Sequence, residues 1–210
     1  MADTFLPDPG IAPGIGAREA GHPTDGRLIP AVVPLQALPV VALLVAGLIV
    51  SIAGNWKWAL DWYHVVGGGL WTSIDLFVGM VLGPIMGRLS PPARAEFAAR
   101  FMPAMVVIMP TVVTMTLAAG WQVARQTGNL EAPYPHRWWI TASMIVVAIM
   151  AVVALGILEP ANLAVLFEMR KPVPDTVLIA QLMRRFVYFA GVTGVMQIAT
   201  LVIMTRVATS

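Results

Sequence analysis

The sequence predicts an all-α protein, a polytopic transmembrane helical bundle of about five spans. Three observations support this fold class. Hydrophobic residues make up 58% of the 210 residues and charged residues only 11%, whereas a soluble domain carries about 25% charged residues. The mean hydropathy is +0.79. Five separate stretches are also long and apolar enough to cross a bilayer, which takes roughly 20 residues per span.

A proline-rich polar N-terminal tail of residues 1–34 precedes the predicted transmembrane domain of residues 35–210. The tail carries six prolines, at Pro7, Pro9, Pro13, Pro23, Pro30 and Pro34. It has no basic segment followed by an apolar run, so we do not expect a signal peptide. Because it has little apolar surface to bury alone, we expect it to become ordered only against a partner.

The five predicted spans are joined by short connections, which leave no room for a second domain. They are Leu35–Ala53, Trp62–Met86, Phe101–Val123, Trp138–Leu158 and Phe186–Met204. With five spans, the N-terminal tail and the second and fourth loops share one side of the membrane. That side carries nine Lys and Arg residues and the other side four. The positive-inside tendency therefore predicts a cytoplasmic N-terminus and a C-terminus outside, in a bacterial-type inner membrane.

Tryptophan marks the opposite side. Six of the seven tryptophans fall at its predicted boundary with lipid, namely Trp56, Trp58, Trp62, Trp121, Trp138 and Trp139. The amphipathic indole favours that boundary. Only Trp71 lies deeper. Basic residues and tryptophans thus separate between the two faces, which supports both the span count and the orientation.

Asp75 is the candidate catalytic residue. It follows Trp62 by 13 residues, a rise of roughly 20 Å along a helix, which places it near the middle of the bilayer. An intramembrane carboxyl must be protonated, paired, or beside water or a ligand. One interpretation is a proton relay. The other is a neutral, structural Asp75 bonded to a neighbouring helix through a residue such as Thr114, Ser143 or Gln197.

His64, Gly68, Trp71 and Asp75 lie on one stripe of the second span, at about 100° per residue. His64 lies near the outer boundary, on the same side as His136. Imidazole nitrogens bind haem iron and copper. We therefore consider His64 and His136 as metal ligands, with Gly68 and Trp71 lining a cofactor pocket beside His64. The alternative is that both histidines are interfacial residues.

Other features predict packing more than chemistry. Gly79, Gly83 and Gly87 recur every four residues and let a neighbouring backbone approach closely. The third span carries methionines on one face, at Met102, Met105 and Met109, where thioethers bind copper(I) but also fill cores. Glu159 is expected at the cytoplasmic boundary as a surface or snorkelled group. Signatures of soluble enzymes, such as a Walker A loop, are missing.

The pattern His64-x6-Trp71 with intervening glycines, followed by an apolar run to Gly83-Pro84, resembles the membrane proteins of the copper-resistance D superfamily. A similar span occurs in the bacterial membrane protoporphyrinogen oxidase. These resemblances imply a histidine that serves copper or haem b, with His64 as the ligand and Trp71 as a pocket wall. The sequence lacks the oxidase's Leu-Pro-Arg-Leu segment, and Asp75 replaces an apolar residue, so the oxidase activity is not expected.

Two functions remain open from the sequence. The first is a redox-associated or metal-handling membrane protein with haem b or copper near His64 and with Asp75 relaying protons. The second is a non-catalytic accessory subunit of a larger membrane complex. Both expect a lipid bilayer and other membrane protein subunits as partners. A net charge of +2 without a basic run gives no reason to expect nucleic acid.

Overall fold

The computed structural model describes residues 32–209, so the prediction for the tail lies almost wholly outside the described residues. No strand occurs within that range, and the all-α prediction is confirmed. Five helices are long and apolar enough to span a membrane, which makes this a multi-pass membrane protein. They are α1 (Leu35–Ala53), α2 (Lys57–Arg88), α3 (Pro91–Gln126), α4 (His136–Met169) and α5 (Thr176–Thr209).

Four of the helices extend well beyond the predicted apolar spans. α3 has 36 residues and is therefore about 54 Å long, against about 30 Å of hydrocarbon. Local polar residues explain some of these ends. α3 begins at Pro91, where a missing N–H costs nothing. Asp175 caps α5, because its Oδ1 accepts from the backbone N–H groups of Val177 and Leu178 at 2.9 and 3.0 Å.

α2 and α4 each contain a π-helical segment that ends two residues before a proline. The segments are Phe77–Leu82, followed by Gly83-Pro84, and Ala154–Leu158, followed by Glu159-Pro160. Proline lacks an N–H and its ring crowds the carbonyl one turn earlier, so a wider turn relieves the clash. By contrast, α3 is α-helical throughout, although Pro103 and Pro110 lie inside it.

Helices α2 to α5 form the core of the bundle, and α1 packs at its side against α2 and α3. α2 and α4 lie on either side of α3 and α5, and both pack against these two helices. A central apolar cluster includes Trp71 from α2, Met105 and Met109 from α3, and Met150 from α4. The methionine face of α3 is therefore core packing, as one of the two sequence interpretations predicted.

The predicted glycine contact forms between α2 and α5. A Cβ on Gly79 would collide with the backbone of Gly191, and one on Gly83 would meet Val187 Cγ1 at 2.7 Å. Gly87, the third residue of the repeat, faces open space. Gly79 thus sets how closely α2 and α5 cross, and this crossing lies one turn below Asp75.

Candidate functional site

Asp75 lies inside the bundle between α2 and α5, with only 1% of its surface exposed. Its Oδ2 is 2.8 Å from Thr193 Oγ1 and 3.2 Å from Gln197 Nε2. Gln197 is one of the three residues that the sequence suggested as partners of Asp75 on a neighbouring helix. Thr114, another suggested partner, is exposed instead. Within residues 32–209, no Lys or Arg forms an ion pair with Asp75.

Thr193 can form a hydrogen bond with Asp75 in either protonation state of the carboxyl. Its hydroxyl oxygen is also 3.0 Å from the carbonyl oxygens of Phe189 and Ala190. When Asp75 is ionised, the single hydroxyl proton is donated to Oδ2. When Asp75 is protonated at Oδ2, it can donate to Thr193 Oγ1 while the hydroxyl proton turns to a carbonyl of α5. A proton can therefore arrive or leave without a hydrogen bond being lost at Thr193.

Two further polar atoms border the carboxyl without a hydrogen bond of their own. Trp71 Nε1 and Gln197 Oε1 are both fully buried and have no partner among the described residues. Trp71 lies one turn before Asp75 on α2, close enough to interact with the carboxyl but outside hydrogen-bond geometry. An unsatisfied donor and an unsatisfied acceptor at one carboxyl provide places where a water molecule would bind.

His64 is held against α3 by the backbone. Its Nδ1 lies 2.9 Å from the carbonyl oxygen of Thr116, so Nδ1 carries the proton and donates. The ring packs on Gly120, where any Cβ would collide with it. This arrangement fixes the tautomer and leaves the lone pair of Nε2 without a hydrogen-bond partner in the described part of the chain. Histidines that bind metals are usually oriented in this way.

The other predicted pocket residues do not enclose a space beside His64. A Cβ on Gly68 would be in ordinary contact with the methyl group of Thr116. Gly67 next to it is closer to the same residue, because its Cβ would be 2.5 Å from Thr116 Oγ1. Trp71 is 2% exposed and packs in the central core. A flat macrocycle therefore has no cradle between His64, Gly68 and Trp71.

His136 lies at the start of α4, where its Nε2 is 3.2 Å from Asn129 Oδ1 in the α3–α4 connection. His64 bonds instead to the backbone of α3, so the two histidines have separate partners. Among the described residues there is no cluster of three or more His, Cys, Asp or Glu side chains that could hold a metal ion.

Sequence reasoning missed a second polar site, at Glu159 and Asn162 on α4. Glu159 was expected at the surface, but it is partly buried and lines an internal cavity with the buried Asn162. The segment after Glu159 continues α4 as a helix, with Val165 and Leu166 fully buried. The sequence signal was the carboxyl directly before Pro160, inside an otherwise apolar stretch.

The fold and these sites define a multi-pass α-helical membrane protein with carboxyl groups inside the bundle. No family model, curated protein or solved structure matches the chain. The assignment of a function therefore depends on the geometry of Asp75 and His64.

Proposed function

We propose that this protein handles protons within a membrane and that Asp75 is the group that takes up and releases them. The observation that carries the proposal is the pairing of Asp75 with Thr193 and Gln197, which are neutral. A buried Arg or Lys would hold the carboxyl in its ionised form, because the opposite charge favours that form. Thr193 and Gln197 instead hydrogen-bond either form.

The surroundings of Asp75 support this role. Trp71 Nε1 and Gln197 Oε1 offer a donor and an acceptor to water beside the carboxyl. Proton transfer over more than a hydrogen-bond length requires such a chain of donors and acceptors. Along α2, His64 lies three turns before Asp75 towards the tryptophan-rich end, so polar groups lead from that end to the centre of the bundle.

Proton flux into proteoliposomes tests the proposal. Purified protein is reconstituted with a pH-sensitive dye inside, and a potassium diffusion potential provides the driving force. We expect the wild type to pass protons and Asp75→Asn to lose that flux while the fold is retained. Asp61→Asn is the matched control, because Asp61 is an exposed carboxyl at the start of the same helix. Equal flux through the wild type and Asp75→Asn would refute the proposal.

His64 supports a second candidate function, the binding of copper or haem b in a redox assembly. The observation that favours it is the bond from His64 Nδ1 to the Thr116 carbonyl, which presents Nε2 as a ligand. The chain fits one ligand but not an enclosed haem pocket. We therefore propose that any such site is completed by another subunit, which makes the protein an accessory component of a membrane complex.

We also propose that the protein lies in a bacterial-type inner membrane, with its N-terminus in the cytoplasm and its C-terminus outside. The two ends of the bundle differ in the way this orientation requires. At one end, the α1–α2 connection meets the end of α3, because Gln126 bonds Asn55. At the same end, the start of α4 meets the end of α5, because Arg206 lies over Trp139. That end holds six tryptophans, and the opposite end holds most of the Lys and Arg residues.

A further inference from the structure

A small cavity lies between α3, α4 and α5, away from Asp75. Its volume of about 10 Å³ is close to the minimum that holds one water molecule. Most of its wall is apolar, and the polar exceptions are Glu159 and Asn162. The lining residues are Met109, Pro110, Val113, Ala154, Leu155, Leu158, Glu159, Asn162 and Phe186.

Asn162 has polar atoms that the protein itself does not satisfy. Its side chain is 1% exposed, and neither Nδ2 nor Oδ1 has a hydrogen-bond partner among the described residues. The Glu159 carboxyl is near the amide but outside hydrogen-bond geometry. A buried amide without any partner is rare in folded proteins and calls for a ligand at the site.

The backbone lacks one hydrogen-bond donor beside the cavity. The Glu159 N–H donates to the Ala154 carbonyl, five residues earlier, in the register of the π-helical segment. In this register the next donor would be residue 160, bonding to the Leu155 carbonyl. Pro160 has no N–H, so it cannot supply that bond. Leu155 also lines the cavity.

We propose that this cavity binds a single water molecule that links Asn162, Glu159 and the Leu155 carbonyl. The water accepts a hydrogen bond from Asn162 Nδ2 and donates to the carbonyl of Leu155 and to the carboxyl of Glu159. The water then gives a partner to the Asn162 amide group, the Glu159 carboxyl and the Leu155 carbonyl.

A metal cation fits this site less well than water. Glu159, Asn162 and the Leu155 carbonyl offer oxygen ligands, but a cation accepts no hydrogen bond and would leave Asn162 Nδ2 unpaired in the apolar interior. The available space also limits the occupant to about one water. Water both donates and accepts, so it matches the mixed requirement of an amide beside a carboxyl and a carbonyl.

The water site is separate from the Asp75 site. Met109, Val113 and Ala154 line the cavity and also belong to the apolar cluster that contains Trp71. These side chains lie between the two polar regions. The water site does not depend on proton transfer at Asp75, because its argument uses only the unpaired atoms around Asn162.

Infrared difference spectroscopy of the full chain in lipid tests the proposal. Among the water O–H stretching bands that shift in H2(18)O, the wild type should show one hydrogen-bonded band that is lost in Asn162→Leu. Gln197→Leu is the matched control, since it replaces a buried amide at the other site, and it should keep this particular band. A wild-type spectrum without any such band, or a set of water bands that Asn162→Leu leaves unchanged, would overturn the proposal.

Glu159→Gln provides a second measurement if Asn162→Leu does not fold. The amide still accepts from the water and fills nearly the same volume, so the water band should move but remain. If the frequency of the band is the same in Glu159→Gln as in the wild type, the water does not contact this carboxyl, and the proposed bridge would be wrong.

Discussion

The hydroxyl of Thr193 on α5 lies 2.8 Å from the carboxyl oxygen Oδ2 of Asp75 on α2, although the two residues are 118 positions apart in the chain. This bond joins two helices at the level where they approach most closely, next to the Gly79–Gly191 crossing. The polar site and the glycine contact therefore depend on each other. A change in the helix crossing would pull the hydrogen-bond partners of Asp75 away.

Asp75→Asn should fold with a free energy of unfolding within about 1 kcal/mol of the wild type. The side-chain carbonyl of asparagine can accept from Thr193 and Gln197 in place of Oδ2, so the contact between α2 and α5 persists. Equilibrium unfolding in mixed micelles measures the difference. A loss of several kcal/mol would mean that the negative charge itself holds the bundle together, contrary to the neutral partners of Asp75.

Thr193→Val should lower the free energy of unfolding by about 1–3 kcal/mol, because Asp75 loses a buried donor while the shape is kept. Thr193→Ser is the matched control and should restore most of the stability, since its hydroxyl can occupy the same position. If valine and serine destabilise equally, the methyl group matters and the hydroxyl does not. That result would contradict the bond to Asp75.

Gly79→Ala should destabilise the protein by about 1–3 kcal/mol, through overpacking against the backbone of α5. Gly191→Ala, on the other side of the same contact, should cost less than about 1 kcal/mol, because its Cβ would meet the Cα of Gly79 at an ordinary 3.4 Å. Thermal unfolding of both variants measures this asymmetry. Equal losses would indicate a crossing geometry different from the one described.

The sequence predicted the five spans because apolar length and the positions of Trp and Arg depend only on the bilayer. It also named Gln197 as one of three possible partners of Asp75 on a neighbouring helix. It did not predict Thr193, because the pairing depends on how α5 rotates against α2. It placed Glu159 at the surface because the spacing along a single helix predicts how deep a residue lies in the bilayer. That spacing does not predict which neighbouring helices enclose the residue.

Reporter fusions after residue 130 and residue 175 should report opposite sides of the membrane. We expect the fusion at 130, in the α3–α4 connection, to appear outside, and the fusion at 175, in the α4–α5 connection, to appear in the cytoplasm. This expectation follows from the positive-inside tendency, because basic residues lie near the α4–α5 connection. Reversal of both fusions would invert the orientation, and agreement of only one would contradict the number of spans.

His64→Ala should abolish any haem or copper that copurifies with the wild type, because His64 Nε2 is the proposed ligand atom. Absorption spectroscopy and metal analysis of the purified proteins measure the bound amount. His136→Ala is the matched control and should retain the metal, since His136 bonds Asn129 in a different part of the bundle.

Gly120→Ala provides a second control at the His64 ring. Its new methyl group would collide with the imidazole, and it should weaken binding without removing the ligand. If the wild type binds neither group, or if His64→Ala binds as much as the wild type, His64 is not a ligand. Its bond to Thr116 would then serve only to join α2 to α3.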